Sequence, residues 1–360
     1  VATNPLTDEQ FVVREFISDL VGSTCLGVLR SLDGRSSTAS AIEEHGEVTR
    51  QTASKHLSQL SESGLTKSMS DGEYRLTAGG KAVLDAFDTS LDEIDRTQLT
   101  NLTRSKHTIP LLLTISNGAA RPSELVGTND SAPSRATVQR AVRMFETEEW
   151  CKEMSGSYHL TPTGERTLDV YEELAVTLEQ VIEKAPWFQR LSPSRTDIPV
   201  CELTDAKLYI SSPNSPGIVL AAALKLCDPR LDHFRVLTSI FNPTLFRAYD
   251  KLLKLGLKGE AVVDESLYDR LHEEEMEHFL DDSNYDNFRI SSLDETLTIG
   301  IGIYDEKQIA IGAYNETGAG EHIAMLLSSN EAVIQWGIQL FKSYREQACH
   351  SAESASEPIQ

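Results

Sequence analysis

The stretch TRQTASKHLSQLSESGLTKSMSDGEYRLTAGG, Thr49 to Gly80, decides how this chain folds. Ala53, Leu57 and Leu60 recur at helical spacing, so one helix face enters a core. Arg50, Gln51, Ser54, Lys55 and Ser58 then point outward. Gly64 ends the helical pattern. LTKSMSDGEYRLT (65–77) reads as strand, Asp-Gly turn, strand. AGGKAVLDAF opens another helix. The first 13 residues hold two cations, one histidine and no acid, in a chain of 55 acids, 33 bases and formal charge −22. A solvated helix face is the bland reading of this sign reversal, and its surroundings choose between that and a functional one.

Upstream, a helical pattern starts at Thr7, read as an N-cap, and runs through Phe11, Val12, Phe16 and Leu20. STCLGVLRSLDG (23–34) and STASAIEEHG (37–46) give two more helices, each stopped by glycine. The pattern then repeats. PSRATVQRAVRMFETEEW (133–150) aligns with 48–65, and GSYHLTPTGERTL (156–168) aligns with GEYRLTAGGKAVL (72–84). The shared G-x-Y-x-L-T-x-x-G is specific enough to establish a tandem of units about 85 residues long. Helix, short helix, turn, helix, hairpin is the order of a winged helix-turn-helix, whose helix after the turn enters the DNA major groove.

At 49–80 the sequence resembles winged-helix regulators of the ArsR and MarR kind, with Thr66 departing from the last position of their pattern. The second copy departs further, with Glu149-Trp150 in place of Gly-Leu. The resemblance implies double-stranded DNA as partner. The candidate contacts are Thr49, Arg50, Gln51, Ser54 and Lys55 on the first helix and Arg75 on its wing. In the second copy they are Ser134, Arg135, Gln139, Arg140 and Arg143. Arg reads guanine bidentately, Gln reads adenine, and Ser and Thr hold phosphates. Pro133–Phe145 is also free of acids, so the sign reversal recurs at corresponding positions. One copy serving only as a packing module is the competing reading.

An acidic balance normally argues against a nucleic-acid partner. In the molar salt of a halophilic cell, screening shortens the reach of charge to about 3 Å, and local patches decide. The five cysteines are scattered and form no CxxC, so no zinc site is expected, and a reducing cytoplasm suits them. No apolar run reaches the roughly 18 residues of a membrane span.

Apolar residues at helical spacing mark helices at 81–102 and 165–184. These either dimerise, as in many winged-helix regulators, or cover their own domains. APWFQRLSPSRTDIP (185–199), with three prolines and two serines, reads as a linker. From Cys201 strands alternate with helices, giving an α/β domain of about 150 residues. FNPTLFRAYDKLLKLGLKGEAVVDESLYDRL, LTIGIGIYDEKQIAIGAYNETG and SSNEAVIQWGIQLFKSYREQA resemble the effector domain of archaeal FilR-type regulators, itself similar to one half of the phospholipase D fold. Phospholipase D chemistry needs His and Lys in H-x-K, to attack and to hold a phosphate. The corresponding strand, TLTIGIGIYDE, has neither. The candidate ligand residues are Ser211, Ser212, Asn214 and Ser215, before a helix, and Asn242 before the next. Plain helix capping is the alternative. HEEEMEHF (272–279) reads as a solvated acidic helix, and CHSAESASEPIQ (349–360) as a disordered tail.

The fold expected is therefore α+β and multidomain: two tandem winged helix-turn-helix domains (1–105, 106–184), a linker (185–199) and an α/β phospholipase D-like effector domain (200–348). The function expected is that of a cytoplasmic, non-enzymatic DNA-binding transcription regulator. A homodimer, a small-molecule effector, no cofactor, no metal and no membrane association complete the expectation. The alternatives are a protein–protein adaptor using winged helices without DNA, and an enzyme of unrecognised type in 200–348.

Overall fold

The computed structural model describes residues 2–46, 48–118, 120–126, 132–195, 197–271, 285–314 and 323–355. The chain divides into two compact units, Val1–Glu183 and Lys184–Gln360.

The first unit opens with a two-stranded hairpin, β1 (Ala2–Asn4) and β2 (Glu9–Phe11). Thr7 lies in its turn, where Thr7 and Asp8 donate to the Asn4 carbonyl. The expected N-cap at Thr7 is thus corrected: α1 (Val13–Gly22) starts only after Val12, because the preceding residues pair as strands. There follow α2 (Cys25–Arg30), α3 (Ala39–Glu44), α4 (Arg50–Glu62), the wing β3 (Thr66–Ser68) and β4 (Tyr74–Leu76), and α5 (Ala78–Glu93). The second copy repeats the order with α6 (Arg96–Thr103), α7 (Thr108–Ser116), α8 (Pro122–Leu125), α9 (Arg135–Thr147), β5 (Cys151–Met154), β6 (Ser157–Leu160) and α10 (Pro162–Glu183).

The repeated motif now has physical causes. Gly72 and Gly156 both turn their hairpins at φ +81°. Tyr74 bridges to Ser37, and Tyr158 to Ala120, so each wing gains a third short strand. The Thr77 and Thr161 hydroxyls accept from the N–H groups of Gly80 and Gly164 and donate to the carbonyls of Gly64 and Glu149. A Cβ at Gly80 would lie 1.9 Å from the Leu65 carbonyl oxygen, and one at Gly164 would lie 2.1 Å from that of Trp150. Gly80→Ala should therefore cost about 1–3 kcal/mol by overpacking against backbone. Chemical denaturation measures it; an unchanged midpoint would show that the helix shifts freely.

Glu149 takes the place of Gly64 in the same left-handed conformation, φ +58° against +81°. Trp150 is fully buried, as Leu65 is. The hairpin geometry thus survives the Gly-to-Glu change at a backbone cost. Glu149→Gly should raise stability by about 1 kcal/mol, read from the same denaturation midpoint.

The single helix expected over 81–102 is two helices. α5 ends before Ile94, and Asp95 caps α6 in a capping box with Gln98. α6 is therefore the first helix of the second copy, and the copies meet near Asp95 instead of at 105/106. The pairing of the copies is like with like. α1 packs on α6, and α5 on α10. Arg14, at the start of α1, donates to Thr103 O at the end of α6 (2.7 Å). Arg96, at the start of α6, donates to Val21 O (2.8 Å) and Ser23 O (2.9 Å) at the end of α1. Each helix thus lends a guanidinium to the negative end of the other, so the pair is antiparallel and self-complementary. Equivalent surfaces in mutual contact are the signature of a two-fold interface, here built within one chain. Both roles expected for the helix after each hairpin are seen within the chain: α5 and α10 pack on each other, and each also packs on its own copy, α5 on α2 and β4 and α10 on α7 and β6.

In the second unit, α11 (Ala185–Phe188) and a 3-10 helix, Val200–Asp205, precede β7 (Lys207–Ile210), α12 (Ile218–Leu224), β8 (His233–Thr238), α13 (Pro243–Lys254), β9 (Lys258–Asp264) and α14 (Glu265–Leu271). Then come β10 (Phe288–Leu293), β11 (Ile299–Tyr304), β12 (Gln308–Ala313), β13 (Ala324–Ser328) and α15 (Glu331–Ala355). The sheet order is β10-β9-β8-β11-β12-β13-β7, with β8, β9 and β10 parallel and the other neighbours antiparallel. β11 and β12 meet in a tight turn with Asp305 and Glu306 both at positive φ. One sheet face, with Phe234, Val236, Ala261, Val263, Ile290 and Met325, packs beneath α12, α13 and α14. α15 covers the other face, where Gly337 lets Ile309 approach its backbone.

The linker expected at 185–199 is corrected. Ala185, Pro186, Trp187, Phe188 and Leu191 are buried, and Trp187 Nε1 donates to Ile311 O at 2.9 Å. Two large aromatics outweigh the turn-forming prolines around them. α15 also runs on to Ala355, into the segment expected to be a disordered tail, where Ala352, Glu353 and Ala355 favour helix. Residues 356–360 lie outside the described residues.

Candidate nucleic-acid interface

Helix α4 buries Ala53, Leu57 and Leu60 and leaves a broad, open groove on its outer side, lined by Arg50, Gln51, Ser54, Lys55, Ser58 and Gln59. No acid lines it. Glu43, the carboxylate next to its start, is held by the Arg50 backbone N–H (3.0 Å). The groove thus carries two exposed cations among amide and hydroxyl groups, the inventory that reads base edges and phosphates.

The Thr49 and Ser134 hydroxyls bond first to their own helices. Each caps its helix, accepting from the N–H of Thr52 (3.3 Å) and Thr137 (3.2 Å), and each shares a hydroxyl hydrogen bond with that threonine. Both hydroxyls thus serve as helix caps. On α9, Val138, Val142 and Phe145 face the core, while Arg135, Gln139, Arg140 and Arg143 are exposed. Among the described residues no ion pair holds these three arginines, nor Arg50 or Lys55.

The wings add a feature that spacing alone does not show. In register, Lys67 stands opposite Arg75 on β3 and β4, and Lys152 opposite His159 on β5 and β6. Both copies place the pair at corresponding positions. Only Arg75 of these four stands out from the sequence; the signal for the others is the alignment of the two repeats.

The second unit separates its candidate ligand residues. Ser212 and Ser215 bond to each other's backbone in a tight turn around Asn214, and the Ser211 N–H donates to Ile323 O. The Asn242 side chain accepts from the N–H groups of Thr244 (3.1 Å) and Leu245 (3.2 Å), so it caps α13. Both loops lie at the same edge of the sheet, yet β11, β12 and β13 stand between β7 and β8. At about 4.8 Å per strand this is roughly 19 Å, beyond the span of one small metabolite. Ser211 and Asn242 are thus not brought together.

β11, the strand of TLTIGIGIYDE, carries Gly300-Ile301-Gly302. A Cβ at Gly300 would lie 1.9 Å from the Tyr314 hydroxyl, and one at Gly302 would lie 2.9 Å from that of Tyr304. The tyrosines fill this space, with Tyr304 bonded to Tyr249 (2.8 Å) and Tyr314 to Thr238 (2.9 Å). Burial raises all three phenols, so they stay protonated. The cavity left there is about 40 Å³, room for water. Burial also pushes the Cys25 and Cys227 thiols up to about 12 and Cys151 up to about 11, which keeps them out of thiolate chemistry at neutral pH. No cluster of metal-ligating side chains occurs among the described residues. His272, Glu275 and His278 of HEEEMEHF lie outside them. Among the described residues no helix is long and apolar enough to cross a membrane.

The comparisons with known proteins follow the same division. Residues 14–99 and 96–181 each match the family model of the HVO_A0261 N-terminal domain. The second match begins at Arg96, as α6 does. Residues 223–347 match the model of the methanogenesis regulatory protein FilR1, middle domain. No curated protein matches the chain. Among solved structures, TrmBL2, described as an archaeal chromatin protein with a novel mode of DNA binding, is 12% identical over 73% of this chain and 98% of its own, with TM-score 0.32. Nuc, a phospholipase D family member from Salmonella typhimurium, is 14% identical over 39% and 95%, with TM-score 0.31. Scores this low carry no argument about arrangement.

Proposed function

We propose that this chain is a DNA-binding transcription regulator whose first unit presents two recognition helices, α4 and α9, to duplex DNA. The observation that carries the reading is the recurrence of an acid-free, cation-bearing outer helix face at equivalent positions of two copies. It occurs in a chain of net charge −22. The paired basic residues on both wings support it, since wings track the phosphate backbone. The family matches support it too, one to the middle domain of a regulatory protein.

Because α1–α6 and α5–α10 pair within the chain, one chain holds two such helices without a partner subunit. The copies differ at the reading positions: Gln51, Ser54 and Lys55 align with Ala136, Gln139 and Arg140. One chain would then read an asymmetric site, and a homodimer would double it. We read the second unit as a non-catalytic module, since β11 carries neither the His nor the Lys of H-x-K and its glycines face buried tyrosines.

The test is a gel shift in potassium chloride on DNA from the protein's own promoter region, comparing wild type with Arg50→Ala/Lys55→Ala. Both side chains stand away from the buried face, so the melting curve should not move. Binding should weaken by about 1–3 kcal/mol for each good bidentate pair removed. Unchanged affinity would remove α4 from the interface, and no DNA binding by the wild type would favour the adaptor.

A further inference from the structure

The two copies differ most at a place beside the recognition helix. In the first copy His56 of α4 is buried, and its Nε2 lies 3.2 Å from Thr24 Oγ1 at the start of α2. In the second copy Ala141 stands where His56 does, and His107 where Thr24 does. Nearby, Val21 and Gly22 are replaced by Arg104 and Ser105. The exchange opens a cleft of about 480 Å³ between α6, α7 and α9. That volume is in the range of metabolite sites. Ala141 and Met144 form its apolar floor, and Arg104, His107 and Arg140 converge on it from three helices. Its carboxylate, Glu148, is held by Asn101 Nδ2 at 2.8 Å. Among the described residues no ion pair neutralises Arg104 or Arg140.

We propose that this cleft binds a small organic polyanion bearing carboxylate or phosphate groups. A surplus of cationic groups around a concave apolar floor suits a ligand with charged ends and a short carbon skeleton. Arg140 borders the cleft and also stands on the outer face of α9. A ligand that engages it removes a cation from the DNA side, so binding at the cleft weakens DNA binding, and DNA weakens ligand binding by the same factor. This regulatory link rests on α9 contacting DNA; the ligand site itself does not.

The experiment therefore begins without DNA. Thermal melting of the full chain is followed with citrate, with phosphoenolpyruvate and with glucose, at constant potassium chloride. Citrate or phosphoenolpyruvate should raise Tm with saturation, and glucose should not. His107→Thr with Ala141→His restores the packing pair of the first copy and should abolish the rise. Arg104→Gln removes an exposed charge without filling the cleft, and should shift the midpoint concentration at least tenfold. No saturable rise with either anion, an equal rise with glucose, or an unchanged midpoint in Arg104→Gln would overturn the site. In a gel shift, a saturating anion should weaken wild-type DNA binding several-fold. Tm protection without that weakening would overturn the link through Arg140 and leave the site standing.

Discussion

Alanine at Trp187 is expected to destabilise the second unit by about 3–5 kcal/mol, the range for removing a fully buried tryptophan. The indole has no exposed surface, meets Phe188 edge-on at 5.0 Å between ring centroids, and donates to the Ile311 carbonyl. Its removal empties a volume the sheet cannot refill, since β12 is held in register on both sides. The same burial sets where this unit begins. A fragment starting at Lys184 keeps α11 on the sheet; one starting at Arg195 uncovers its apolar floor and should melt earlier or aggregate. Denaturant titration of the two fragments and of the alanine variant measures this. Equal midpoints for all would return 185–199 to the role of a linker.

Removing Arg135, Arg140 and Arg143 together should flatten the salt dependence of DNA binding. Each phosphate contact contributes about 0.9 to the slope of log affinity against log salt, so three contacts contribute nearly 3. The measurement belongs at low monovalent salt, where counterion release is largest. The three side chains stand on the outer face of α9, so the core made by Val138, Val142 and Phe145 should survive. An unaltered slope would make the second copy a packing module and leave α4 alone on DNA.

Most of the architecture is legible in the residues. Helical spacing of Ala53, Leu57 and Leu60, the Asp-Gly turn between β3 and β4, and the repeated G-x-Y-x-L-T-x-x-G give the helix-and-hairpin order that the structure shows in both copies. In TLTIGIGIYDE the two-residue alternation already separates glycines on one face from isoleucines on the other. What misleads is local. Thr7 has capping chemistry, yet ATN (2–4) and EQF (9–11) satisfy each other as strands. The apolar period of 81–102 continues across Asp95, and only the capping box with Gln98 marks the break. Prolines and serines in 185–199 outvote Trp187 and Phe188 when burial is unseen. At the site, the charged faces of α4 and α9 follow from periodicity. Thr49, Ser134 and Asn242 turn out to be helix caps, because a hydroxyl or amide before a helix meets its own backbone first. The wing pairs emerge only when the two repeats are aligned, and the cleft is made by residues distant in sequence, Asn101 to Glu148.

Hydroxyl-radical footprinting of promoter DNA tests most directly whether one chain uses both helices. Wild type, Arg50→Ala/Lys55→Ala and Arg135→Ala/Arg140→Ala/Arg143→Ala would be compared in potassium chloride. Two protected segments are expected, one fading in each variant while the other persists. A single segment that the α9 variant leaves unchanged, or no protection at all, would contradict the reading of DNA by paired recognition helices.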